Sequence, residues 1–112
     1  MELVKLNTVL NSSINEEIYI KIVAQLDKDF VMSGIQYDFN NLSPDELLIC
    51  LREIVEHLLS QDYSALLNLF YRMDIPQNAL DLDTENKVED EIVNLILKRE
   101  FLKVQMRMKY SK

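Results

Sequence analysis

The chain of 112 residues is poor in the residues that break or bridge structure. It has one Gly, two Pro, one Cys, one His and no Trp. So few breakers disfavour an all-β sandwich or barrel, which needs many tight turns, and exclude collagen-like and linker-like chains. A single cysteine, Cys50, excludes an intrachain disulfide framework and an all-cysteine metal cage, and it fits a reducing cytoplasm. No apolar run reaches 18 residues, and no basic segment precedes a signal-like apolar core. The expectation is therefore a cytoplasmic protein with no spanning helix and no signal peptide. No phosphate-binding glycine loop or nucleophile elbow is present.

What is there is globular. Hydrophobic residues make up 48% of the chain and charged residues 28%, with a formal charge of −7. The length suits one domain, residues 1–112, with enough core to fold without a cofactor or metal staple. A uniformly basic nucleic-acid binder is excluded, although an uneven charge distribution is not.

The breakers fall between periodic segments and so mark helix ends. Residues 1–11 fit two readings, because Leu3, Leu6 and Leu10 have helical spacing while Val4, Leu6, Thr8 and Leu10 alternate. A short helix is preferred. Ser13 and Glu16 are spaced as a capping box, and Tyr19, Ile22, Val23, Leu26 and Phe30 follow as a helical stripe ending near Gly34. Ile35, Tyr37 and Phe39 alternate with polar residues. Lacking a sound partner strand, they are expected to form an extended loop pinned on the helices.

Ser43, Pro44, Asp45 and Glu46 combine an N-cap, a proline in the first turn, early acids and a capping-box Glu. The stripe Leu47, Leu48, Leu51, Ile54, Val55, Leu58 and Leu59 follows. Asp62 reads as the next cap, before Leu66, Leu67, Phe70 and Met73, and Pro76 as the start of a short turn holding Ala79, Leu80 and Leu82. The last helix is expected over residues 84–109, roughly 39 Å at 1.5 Å per residue. The fold class is thus all-α: a single-domain bundle of four or five helices with a long C-terminal helix.

That last helix carries two apolar stripes. Val93, Leu97, Phe101, Val104 and Met108 lie on one side, and Val88, Ile92, Leu95, Leu102 and Met106 on nearly the opposite side. Two stripes mean burial on both sides, or a core on one side and a partner on the other. Charge is segregated as well. Residues 98–112 hold six Lys/Arg and one Glu, a net of +5, and the rest of the chain nets −12. Acids near the helix start and bases near its end suit the macrodipole. The same segment could also project as a basic helical arm that meets a protein, an RNA or an anionic surface, with Tyr110 available to stack on a base.

Other candidate chemistry has plainer readings. Glu53 and His57 have ligand-like spacing, but one His cannot build a two-metal bundle site. Asp81, Asp83 and Glu85 begin like a calcium loop, then fail at Asn86 and Ile92 and read as acids near a helix start. Cys50 and His57 are two turns apart on one helix with no orienting group or oxyanion donor, which reads as packing. No catalytic residue, cofactor or metal is expected.

Two segments carry a resemblance. Residues 66–75, Leu-Leu-Asn-Leu-Phe-Tyr-Arg-Met-Asp-Ile, and residues 91–100, Glu-Ile-Val-Asn-Leu-Ile-Leu-Lys-Arg-Glu, are followed by Lys103 and Arg107. Over residues 62–110 they resemble a group of small uncharacterised bacterial proteins sharing a Leu-Leu-Tyr-Arg-Ile-Asp-like segment and a final helix with Ile-x-x-Arg-Glu. Phe70 and Met73 depart from that pattern. The resemblance implies a helical fold and a bacterial cytoplasm. It also suggests that Arg72 and Asp74 meet Glu100 and Arg99 across adjacent helices. The expected function is a non-catalytic interaction or regulatory module using the last helix, with a protein partner or a second copy. Phe101, Leu102, Met106 and Met108 are the expected apolar contacts, and Arg99, Lys103 and Arg107 the charged rim. The alternative is nucleic-acid or anionic-surface binding through residues 98–112.

Overall fold

The computed structural model describes residues 16–76 and 87–110. They form four helices: α1 (Glu16–Met32), α2 (Pro44–Gln61), α3 (Tyr63–Met73) and α4 (Val88–Tyr110). Among the described residues there is no strand. Residues 1–11, Ser13, the turn expected after Pro76 and the calcium-loop-like acids lie outside the described residues.

Local chemistry sets most boundaries. The α1 helix ends where Gly34 takes φ +85. The Ile35 amide then donates to the Phe30 carbonyl at 2.8 Å and the Gly34 amide to Val31 at 3.0 Å, which is a Schellman closure. The same pattern closes α3 without glycine. Asp74 stands at φ 60, and the Ile75 amide donates to the Phe70 carbonyl at 2.9 Å. At the start of α2 the Glu46 amide donates to Ser43 Oγ at 3.2 Å, and the Ser43 amide donates to Glu46 Oε1 at 2.8 Å, completing the capping box. Asp62 caps α3 by accepting from the Ala65 amide at 3.2 Å.

The α4 helix begins at Val88, not at residue 84. Lys87, the residue before it, is not helical. Its carbonyl accepts the first helical hydrogen bond, from Glu91 at 3.1 Å. Arg52 of α2 instead holds the acidic first turn, with Nε 2.9 Å from Asp90 and a guanidinium nitrogen 3.9 Å from Glu89.

The α4 helix packs against all three others, and α3 packs against both α1 and α2. The core holds Ile22, Val23, Leu26 and Phe30 from α1, the whole α2 stripe except half-buried Leu59, and Leu66, Leu69, Phe70 and Met73 from α3. The loop between α1 and α2 has no regular structure, and its alternating apolar row is only partly pinned on the helices. Phe39 is fully buried, edge-on to Phe30 at 5.1 Å, while Ile35 is half-buried and Tyr37 is exposed. The Tyr19 hydroxyl ties the loop down by donating to the Leu42 carbonyl at 2.7 Å.

Candidate functional site

The two stripes of α4 behave differently along its length. From Ile92 to Leu97 both sides are buried: Ile92, Val93, Asn94, Ile96 and Leu97 are all inside. Beyond Lys98 only one stripe stays covered. Val104 is buried, and Phe101 and Met108 are half-buried against the core. On the other side Leu102 is 49% exposed and Met106 55%. Four residues apart, they form one row on the outer surface of the helix.

The three basic residues expected at the rim each hold a partner inside the chain. Arg99 donates from Nε to the Met73 carbonyl at 2.8 Å and approaches Asp74 at 3.7 Å. It thereby covers the carbonyl end of α3, where a cation is favoured. Lys103 Nζ lies 3.0 Å from Asp29 on α1. Arg107 donates to Oε1 of Gln25, also on α1. Asp74 and Arg99 thus meet, as the paired segments suggested. Arg72 does not take Glu100 as its partner. Its Nε lies 3.3 Å from Asp29, because Asp29 enters the junction from α1 as the charged acceptor.

At the centre of this junction are two buried acids, Asp29 at 2% exposure and Glu100 at 0%. Burial works to raise the Asp29 carboxyl. Hydrogen bonds from Glu100, Lys103 and Gln25, with the Lys103 charge, outweigh it and leave Asp29 below its ordinary value. Glu100 goes the other way. Burial, followed by its hydrogen bond to Asp29 and the Asp29 charge, pushes it up to about 8 despite Lys103. The hydrogen bonding agrees with this. A Glu100 carboxylate would leave both oxygens without a hydrogen-bond donor, since Lys103 Nζ stands off at 3.6 Å. A Glu100 carboxylic acid brings its own O–H and can donate it to Asp29. With its carboxyl raised this far, Glu100 favours the acid form beside the Asp29 carboxylate, which Arg72 and Lys103 face.

The ion pairs of Asp29 with Arg72 and Lys103 tie α1, α3 and α4 together. The junction is closed to solvent, so it positions helices rather than reaching a substrate. Asn94 is the other polar side chain buried on α4, at 2% exposure, and neither amide atom has a hydrogen-bond partner among the described residues.

The remaining candidates are placed as follows. His57 is exposed on α2, and Cys50 is a half-buried free thiol. Burial pushes the Cys50 thiol up, against a hydrogen bond with Tyr37, which is the wrong direction for a nucleophile. Among the described residues no three His, Cys, Asp or Glu side chains group closely enough to hold a metal ion. No described helix is long and apolar enough to cross a membrane.

No protein-family model, curated protein sequence or solved structure matches the chain.

Asp29 was not singled out by the sequence reading, and Glu100 only as a partner for α3. The signal was present in both. Asp29 falls three residues after Leu26 and seven after Ile22, on the apolar row of α1. Glu100 falls three after Leu97 and seven after Val93, on the covered stripe of α4. An acid on the buried row of each of two helices marks a buried pair.

Proposed function

We propose that the chain is a non-catalytic helical interaction module whose partner-binding element is the outer row of α4. The observation that carries this reading is the exposure of Leu102 and Met106 one turn apart, on a helix whose opposite stripe is buried. Covering the exposed half of each side chain is worth about 1 kcal/mol, so the row supplies roughly thirtyfold in affinity and needs help from charge.

Charge selects the partner. No acidic residue follows Glu100, whereas Lys103, Arg107 and Lys109 do. Two copies meeting through this row would bring their basic ends together. An acidic amphipathic segment of another protein is complementary, and a second copy would have to offer its acidic body rather than its own α4. Nucleic-acid binding draws less support, because Arg99 and Lys103 are held by acids within the chain and Arg107 is turned toward α1, away from the outer row. The free thiol of Cys50 supports a reducing, cytoplasmic setting.

The test is affinity purification from the native cell, with the wild-type chain and the Leu102→Asp, Met106→Asp double variant as baits. The expected result is an acidic partner captured by the first and lost from the second, with the circular dichroism of the bait unchanged. Light scattering on the purified chain checks for a second copy as the partner. A monomer whose captured proteins are the same for both baits would overturn the proposal.

A further inference from the structure

Away from the outer row of α4, its inner edge and α1 enclose a groove of 420 Å³ lined by Lys21, Ala24, Lys28, Val104, Arg107 and Met108. The volume lies within the range of small-molecule sites. Three cations converge on it, from two helices of a chain whose formal charge is −7, and no acidic residue lines it. Its floor is apolar: Val104 is buried, Met108 is half-buried, and the small Ala24 leaves room where α1 faces the opening.

The cations differ in how they are held. Lys21 is tethered at one end by Glu17 at 3.5 Å. Lys28 has no ion pair or hydrogen bond among the described residues. Arg107 is oriented by Gln25, itself 6% exposed and lining the groove, whose Oε1 accepts one of its N–H groups. Gln25 in turn hydrogen-bonds Asp29, so the buried acid junction fixes Gln25 and Gln25 fixes the guanidinium. A guanidinium has five N–H donors, and Gln25 takes one. The others have no protein partner among the described residues. Such a preorganised cation binds an anion with little ordering cost.

We propose that the groove between α1 and α4 is a binding site for a small amphiphilic anion. The headgroup is a carboxylate or similar oxyanion held by Arg107 and Lys28, and the apolar tail lies on Ala24, Val104 and Met108. An ion without a tail leaves the apolar floor uncovered, and a tail without a negative head leaves the three cations uncompensated. Both halves of the ligand are therefore required.

The probe is decanoate, kept below its micelle concentration and followed by backbone amide shifts of the full chain. Decyltrimethylammonium and inorganic phosphate are the comparisons. Saturable binding of one decanoate per chain is expected, with shifts concentrated at Ala24, Lys28, Val104 and Met108. Lys28→Glu and Ala24→Leu alter exposed positions, and each is expected to weaken binding by about tenfold or more. The proposal is overturned if decanoate produces no saturable shift. It is also overturned if decyltrimethylammonium or phosphate binds as well as decanoate, or if both folded variants bind it like the wild type.

Discussion

Replacing Glu100 with Gln is expected to stabilise the protein at neutral pH, although Glu100 is completely buried and its neighbours are charged. Unfolded, this carboxyl ionises at its ordinary value of 4.5, whereas the folded junction raises it to about 8. Between those values the folded state holds a proton that the unfolded state releases, so stability falls as pH rises through the window. Each pH step above 4.5 favours the unfolded state by about 1.4 kcal/mol. The loss reaches about 3 kcal/mol at pH 7 and levels off at roughly 5 kcal/mol above pH 8. Gln carries an amide donor where the protonated acid carries its hydroxyl, so it can keep the hydrogen bond to Asp29 without a proton to lose.

Urea unfolding of both proteins, followed by circular dichroism across the window from about pH 4 to about pH 9, measures the difference directly. The variant is expected to equal the wild type near the acidic end and to exceed it by about 3 kcal/mol at pH 7. Asp29 works in the opposite sense. Its lowered carboxyl contributes stability above the ordinary Asp value, and that stability is lost on acidification through its folded value. This loss is common to both proteins and cancels in their difference. A difference that stays constant with pH, or a Gln variant less stable than the wild type at pH 7, would refute a protonated Glu100.

Asn94→Leu removes two buried polar atoms that lack partners among the described residues, and a gain of about 1–3 kcal/mol is expected by the same urea titration. Asp74→Gly relieves a left-handed residue at φ 60 and gives up only an exposed ion pair with Arg99, so thermal unfolding should show a gain of about 0.5–1 kcal/mol. Phe39→Ala empties a fully buried site against Phe30 and should lower stability by about 3–5 kcal/mol in denaturant titration, loosening the loop between α1 and α2 from the core.

The helix boundaries were legible where a side chain or a glycine acts locally. Ser43 with Glu46, Asp62 and Gly34 each satisfy backbone groups within a few residues, so the sequence around them carries the whole cause. The start of α4, at Val88 rather than residue 84, was harder to read because Lys87, the residue before it, has no side-chain acceptor to cap the helix. Its first turn is held by Arg52 from another helix, 38 residues away in the chain at its Asp90 contact. The junction of α1, α3 and α4 was harder for the same reason. Arg72 and Lys103 both converge on Asp29, and only the tertiary arrangement decides that Asp29 rather than Glu100 bears the charge. The neighbours of Glu100 hid it further. Lys98, Arg99 and Lys103 make the segment look like a solvated charged face.

The uneven charge of the chain therefore has a structural cause beyond the helix dipole. Arg99 covers the end of α3, Lys103 meets Asp29, and Arg107 meets Gln25, so three of the six bases in residues 98–112 hold α4 onto α1 and α3. A basic arm that bound RNA or an anionic surface would need those cations turned outward. Here Arg99 and Lys103 are drawn in and Arg107 is turned toward Gln25 on α1, so the outer row is left to Leu102 and Met106. The same inward turn brings Arg107 to the edge of the α1–α4 groove beside Lys21 and Lys28. One set of basic side chains thus fixes the last helix, leaves an apolar row for a partner and assembles a cationic rim around an apolar floor.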